Sequence, residues 1–105
     1  MKVTGTFEKM DDGVYTGNIA SLDFDYPIVL EPIEGDKANG KAPDYRVLGK
    51  SPGGTPIDLG AGWSKTSLAK NAYVSFTVDL GRCGAFNLNL VSMNGALTVI
   101  EWAEV

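Results

Sequence analysis

The sequence predicts an all-β domain of about eight short, mostly antiparallel strands, a meander forming a small barrel or sandwich. Three observations predict it. Thirteen glycines and five prolines punctuate 105 residues, so no long window is left for a regular helix. Between them lie runs in which apolar and polar residues alternate, the period of a strand with one buried face. Turn residues separate most of these runs by short gaps, the spacing of hairpins rather than of crossovers.

The first run is Val3 to Lys9. Asp12-Gly13 supplies a tight turn, because both residues tolerate positive φ. Val14 to Leu22 is the return strand, with Tyr15 and Ile19 on its buried face. In LDFDYPIVLEPI, Leu22, Phe24, Tyr26, Ile28 and Leu30 occupy alternate positions, with Asp23 and Asp25 between them, giving one apolar and one wet face. Pro27 lacks an N–H, which puts this strand at an edge or gives it a bulge. Residues 35–43, GDKANGKAP, read as an exposed loop, Asp44 to Lys50 as a fourth strand and SPGGTP, residues 51–56, as a second loop. Ile57, Leu59, Ala61 and Trp63 alternate along a fifth strand, an arrangement that puts Trp63 on the same face as Ile57 and Leu59. Gly60 and Gly62 between them permit close backbone approach. Residues 64–71 have room for one helical turn at most.

The C-terminal third has the clearest alternation. Val74, Phe76, Val78 and Leu80 interleave with Tyr73, Ser75, Thr77 and Asp79; after a GRCG turn, Phe86, Leu88 and Leu90 interleave with Asn87 and Asn89. Asn94-Gly95 makes a hairpin turn. In the last strand, Ala96 to Ala103, Leu97 and Val99 share one face and Ile100 and Trp102 the other, the pattern of a central or doubly covered strand.

Composition narrows the function classes. A hydrophobic fraction of 44% with ten aromatics supplies one core, and residues 1–105 read as a single domain. The only cysteine, Cys83, cannot staple the fold internally, and MKVTGTFEKMDDG has no apolar run of the signal-peptide kind. No stretch approaches the ~20 apolar residues of a membrane span. The expectation is therefore a cytoplasmic protein with no membrane partner. The absence of histidine removes Ser-His-Asp and Cys-His catalysis and histidine zinc sites. SPGGTP lacks the spacing of a phosphate loop, and DFDYP lacks the ligand pattern of a calcium loop. The expected class is a non-enzymatic binding module with no cofactor and no metal.

The charge is uneven. Residues 1–36 hold eight acids against two lysines, whereas residues 37–70 hold six cations against Asp44 and Asp58, within a net charge of −4. Two electrostatic faces follow. In the basic segment Lys41, Arg46, Lys65 and Lys70 are candidates to hold phosphates, and Tyr45, Trp63 and Tyr73 to stack bases, the combination that binds single-stranded nucleic acid. The bland alternative makes Trp63 and Tyr45 core residues and pairs Asp44 with Arg46 across strands. The acidic third offers a different class of function: an inhibitor of a host defence or restriction protein, with Asp23 and Asp25 spaced along a strand by roughly 7 Å, as successive phosphates are. Free edges near Pro27 or at the last strand would allow a homodimer.

KAPDYRV (Lys41 to Val47), DLGAGWSKTS (Asp58 to Ser67), AYVSFTVD (Ala72 to Asp79) and LTVIEWAE (Leu97 to Glu104), together with the opening GTFEKMDDGVYTGNIASL, resemble the bacterial family catalogued as domain of unknown function 736. The resemblance implies a small cytoplasmic protein encoded among genes of plasmids and other mobile elements, with no established activity. The chain departs from the family's usual pattern at SPGGTP and at GRCGAFNLNL.

Overall fold

The computed structural model describes residues 3–33, 42–66, 70–93 and 95–101. Eight strands follow in chain order: β1 (Gly5–Lys9), β2 (Tyr15–Ala20), β3 (Asp25–Pro32), β4 (Tyr45–Lys50), β5 (Pro56–Thr66), β6 (Ala72–Asp79), β7 (Ala85–Met93) and β8 (Ala96–Ile100). Each pairs antiparallel with the next, and β8 returns to β1, closing an eight-stranded barrel. The sole helical element among the described residues is one 3₁₀ turn, Gly81–Cys83. The all-β meander read from the alternation is thus a barrel rather than a sandwich.

The turns form as their residues dictate. At the β1–β2 connection the N–H of Gly13 donates to the Met10 carbonyl at 3.0 Å, and that of Met10 to Val14 at 2.7 Å. Gly13 takes φ 86°, the left-handed position that ends a three-residue hairpin loop. Ser51–Thr55 repeats the device, with Gly54 at φ 90°. Asn94 lies outside the described residues; Gly95 takes φ 82°, and Met93 pairs with Ala96 across the turn.

Period-two burial fills the interior. Phe7, Ile19, Ile28, Leu30, Val47, Val74, Phe76, Val78, Leu88, Leu90 and Val99 all point inward and are buried. Phe7 meets Phe76 edge to face across the barrel, with ring centroids 6.4 Å apart. One end of the interior is stopped by Tyr15 against Tyr45 at 5.7 Å, the other by Phe24 against Phe86 at 6.1 Å. Leu22, expected on the apolar face, instead sits in the β2–β3 turn and is 97% exposed. The alternation does begin at Phe24, but Ser21 donates its N–H to the Phe24 carbonyl and turns the chain before it.

Closure removes the edge expected at the last strand. β8 is flanked by β7 and by β1, so the last strand is central and offers no free edge for a second subunit. Trp102, read as part of that strand's second face, lies outside the described residues. Pro27 is accommodated differently from a sheet edge. Ala20 exchanges both backbone bonds with Thr4, so Ala20 and Asn18 direct their peptide groups to β1. Pro27, opposite Asn18, then turns its nitrogen towards β4, whose pairing with β3 stops at Val29↔Leu48. The missing N–H falls where no ladder runs. The proline is at a local overhang within a closed barrel.

The largest irregularity is in β5. Val47 pairs with Gly60 but Leu48 pairs with Asp58, leaving Leu59 as the extra residue of a bulge. The bulge reverses the phase of the strand. Ile57 and Leu59 face inward before it, whereas Gly60 and Gly62 face inward after it and Ala61, Trp63 and Lys65 face out. Trp63 therefore leaves the face of Ile57 and Leu59, contrary to the uninterrupted alternation read from the sequence. β5 also continues to Thr66, where a helical turn had room to start. Gly60 is required where it stands: a Cβ there would lie 2.1 Å from the Thr77 carbonyl oxygen. Gly60→Ala is expected to destabilise the barrel by about 1–3 kcal/mol, the usual range for overpacking. Gly53→Ala, in open space, should change stability little; urea unfolding of the two variants checks both.

Candidate functional site

The expected binding residues divide between the two sides of the barrel wall. Arg46 is exposed on the outer face of β4, in register with Glu31 of β3 and Ala61 of β5. On β5 and β6, Trp63 pairs with Ser75, and Lys65 with Tyr73, all four outward. Trp63 and Tyr73 are diagonal neighbours, a separation of about 7–8 Å between Cα atoms. Lys70 follows in the β5–β6 connection, exposed, with φ 64°, a left-handed conformation uncommon outside glycine. The geometry brings Trp63, Lys65 and Tyr73 together, with Arg46 on the next strand. Lys41 lies outside the described residues.

Tyr45 is on the other side. It alternates with Val47 and Gly49, packs against the core and meets Tyr15. Burial raises the Tyr15 phenol above the ordinary value of 10.0, and Tyr45 adds to the shift by charge and by hydrogen bonding. Lys9 places its ammonium 5.7 Å from the Tyr15 ring centroid, over the negative face of the ring. This pair stops one end of the barrel and is not part of the outer platform.

Asp44 does something the sequence did not reveal. Its N–H donates to the Gly62 carbonyl at 2.8 Å, and its Oδ2 accepts the Ser64 N–H at 2.8 Å. Backbone and side chain of Asp44 together thus extend the β4–β5 ladder on either side of Trp63. Asn89 and Val91 were also not singled out. Both stand on the outer side of β7, yet Asn89 is only 7% and Val91 only 4% exposed. Asn89 shares a row with Trp63, Ser75 and Ile100, which are half-buried, and the row is bordered by the exposed Lys65.

Charge is segregated around the wall. The outward residues of β1 to β3 include Glu8, Asp25 and Glu31 and no cation, whereas β4 and β5 present Arg46, Lys50 and Lys65 against the single acid Asp58. Asp25 also accepts a bond from the Asn18 amide at 2.9 Å. At the other barrel end the Tyr26 hydroxyl lies 3.6 Å from the Cys83 sulfur. That contact first, then the thiol's charge and burial, raises the Tyr26 phenol. No group of acids and cysteines able to hold a metal ion occurs among the described residues, and no described helix is long and apolar enough to cross a membrane.

The architecture defines the class: a small closed antiparallel β-barrel with a packed apolar interior and a charge-divided outer wall. Within that class, the chain belongs to the family described as "Protein of unknown function (DUF736)", whose model matches residues 3–102. No curated protein and no solved structure matches it.

Because the folded Tyr15 phenol holds its proton more tightly than the unfolded one, the contribution is full below pH 10 and is lost as pH rises through the folded value. Alkaline unfolding followed by circular dichroism should show this loss, and Tyr15→Phe should lessen it.

Proposed function

We propose that this barrel is a non-enzymatic binding module of a bacterial mobile element, working in the cytoplasm, that takes single-stranded nucleic acid on the outer wall of β4 to β6. The observation that carries the reading is the register of Lys65 with Tyr73 beside Trp63, two aromatic platforms with a cation adjacent to both. Single strands are held by such a combination, bases stacking on rings while cations follow the phosphates. Arg46 and Lys70 extend the positive path. Tyr45 has no part in it, being turned into the barrel.

Titrating a fluorescent oligothymidylate at several salt concentrations tests the proposal. Three phosphates neutralised by Arg46, Lys65 and Lys70 correspond to a log–log salt slope of about −2, at ~0.7 per contact. Lys65→Ala or Arg46→Ala should make the slope shallower by about 0.7. Trp63→Ala or Tyr73→Ala should weaken binding by about 1–3 kcal/mol and leave the slope unchanged. Absence of binding at low salt removes the proposal.

A second reading, an inhibitor of a host protein, is favoured by the cation-free outer face of β1 to β3. On that reading a host protein captured by the wild-type chain is lost from Asp23→Lys/Asp25→Lys while oligonucleotide affinity stays as it was. Affinity capture from host lysate with the paired variants distinguishes the two.

A further inference from the structure

The β5–β6 ladder ends before its strands do. Register runs from Thr66↔Ala72 to Gly62↔Phe76 and stops, although β5 begins at Pro56 and β6 continues to Asp79. Past Gly62 the two strands are held by other contacts. The Thr77 hydroxyl accepts the Ala61 N–H at 3.4 Å, and Gly60 passes close over the Thr77 carbonyl. Beyond Gly60 the wall leaves a cleft of about 160 Å³, apolar at Leu59, Val78, Ala85 and Phe86. An apolar cavity of this size holds a benzene ring, so the cleft has room for the isobutyl group of a leucine.

A leucine of that kind is on the same molecule. Leu22 is 97% exposed, more than any other large hydrophobic residue among the described ones, and so does not enter its own cleft. Its position is fixed. The Ser21 N–H donates to the Phe24 carbonyl at 2.8 Å and the Asp23 N–H to the Ser21 hydroxyl at 3.2 Å, which puts Leu22 at the tip of a bonded turn. A side chain held out by such a turn loses little conformational freedom on docking. Turn and cleft are at one end of the barrel, because alternate connections of an antiparallel meander fall together. Leu22 is in the β2–β3 connection, and the cleft adjoins the β6–β7 connection. Phe24 on Phe86 ties the two. Charge agrees with the fit: exposed Asp23 follows Leu22, and exposed Arg82 is in the turn between Asp79 and Ala85, which line the cleft.

We infer that the occupant of the cleft is a second copy of this chain: each copy inserts Leu22 into the cleft of the other and sets Asp23 beside the partner's Arg82. Because turn and cleft share one barrel end, the contact is isologous and closes at two copies. It is made by side chains and needs no free strand edge. Two leucines and their surroundings bury less than the ~1,200 Å² of a standard interface, so the dimer is weak and exchanges rapidly. The contact uses none of the residues of the nucleic-acid platform and stands independently of that reading.

The test uses the full ¹⁵N-labelled chain, diluted from millimolar to micromolar concentration. The amide signals of Leu22, Asp23, Val78 and Phe86 should move together in heteronuclear spectra, and the mass from sedimentation equilibrium should level at twice 11.2 kDa. Leu22→Ser, which changes an almost wholly exposed side chain, should remove both effects. Ala85→Trp, which lays an indole over the cleft from an exposed position, should remove them as well. Arg82→Glu should weaken association about fivefold, and Asp23→Arg joined to it should restore the affinity. Unlabelled Ala85→Trp added to labelled Leu22→Ser leaves one intact contact, so it should move the Val78 and Phe86 signals, whereas a chain carrying both substitutions should not. The inference is overturned by unmoved signals and monomer mass at millimolar concentration, by Leu22→Ser or Ala85→Trp associating as the wild type does, or by a mass that keeps growing past the dimer.

Discussion

The bulge at Leu59 fixes more of this molecule than any other local feature. A barrel wall has a strict inside and outside, and one extra residue exchanges them for everything that follows along the strand. Before the bulge β5 feeds Ile57 and Leu59 towards the interior. After it, the inward positions belong to Gly60 and Gly62, and the wall can approach Phe76 and Thr77 closely because neither glycine has a side chain. Trp63 and Lys65 face outward for the same reason. The aromatic and cationic character of the outer wall, the tight passage of Gly60 over the Thr77 carbonyl and the end of the β5–β6 ladder are consequences of one insertion.

The bulge also sets apart the far end of the β4–β5 hairpin. β3 pairs with β4 only from Val29 onward, and β6 pairs with β5 only up to Phe76. Gly49–Lys50 and Pro56–Asp58 are joined to each other but not to the strands on either side. Contacts elsewhere hold the body of this end: Phe24 on Phe86, and the Tyr26 hydroxyl on Cys83. Leu59 compensates partly for the loss, lying over Gly49 in space that a larger residue there would need.

Most of the strand content was legible because alternation is a direct image of a two-sided wall. Val74 to Leu80 and Phe86 to Leu90 could be assigned by inspection, and Asp12-Gly13 could be assigned to a turn by the φ it tolerates. Closure was not legible, since nothing in Gly5–Phe7 or Leu97–Val99 announces that these two segments are partners. Which candidate residues face outward was legible only in part. Tyr73 and Lys65 emerged from alternation, but Trp63 reached the outer face through a bulge that the Ile57–Leu59–Ala61–Trp63 spacing conceals. Tyr45 is inward because it shares parity with Val47, a relation visible in the sequence. Asp44 was hidden because a carboxylate bonded to backbone N–H groups has no sequence signature distinct from one paired with an arginine.

The meander gives the chain a particular folding problem. Seven of its ladders join neighbouring segments, and only the one between β1 and β8 joins the first strand to the last. Neighbouring hairpins close cheaply, whereas the final ladder must overcome the entropy of a loop almost as long as the protein. It has three residue pairs, supported by the Val3 N–H donating to the Glu101 carboxylate. Until those bonds form, the sheet is a curved ribbon with two bare edges, each a template for another chain. Resistance to aggregation during synthesis therefore depends on how quickly β1 and β8 find each other.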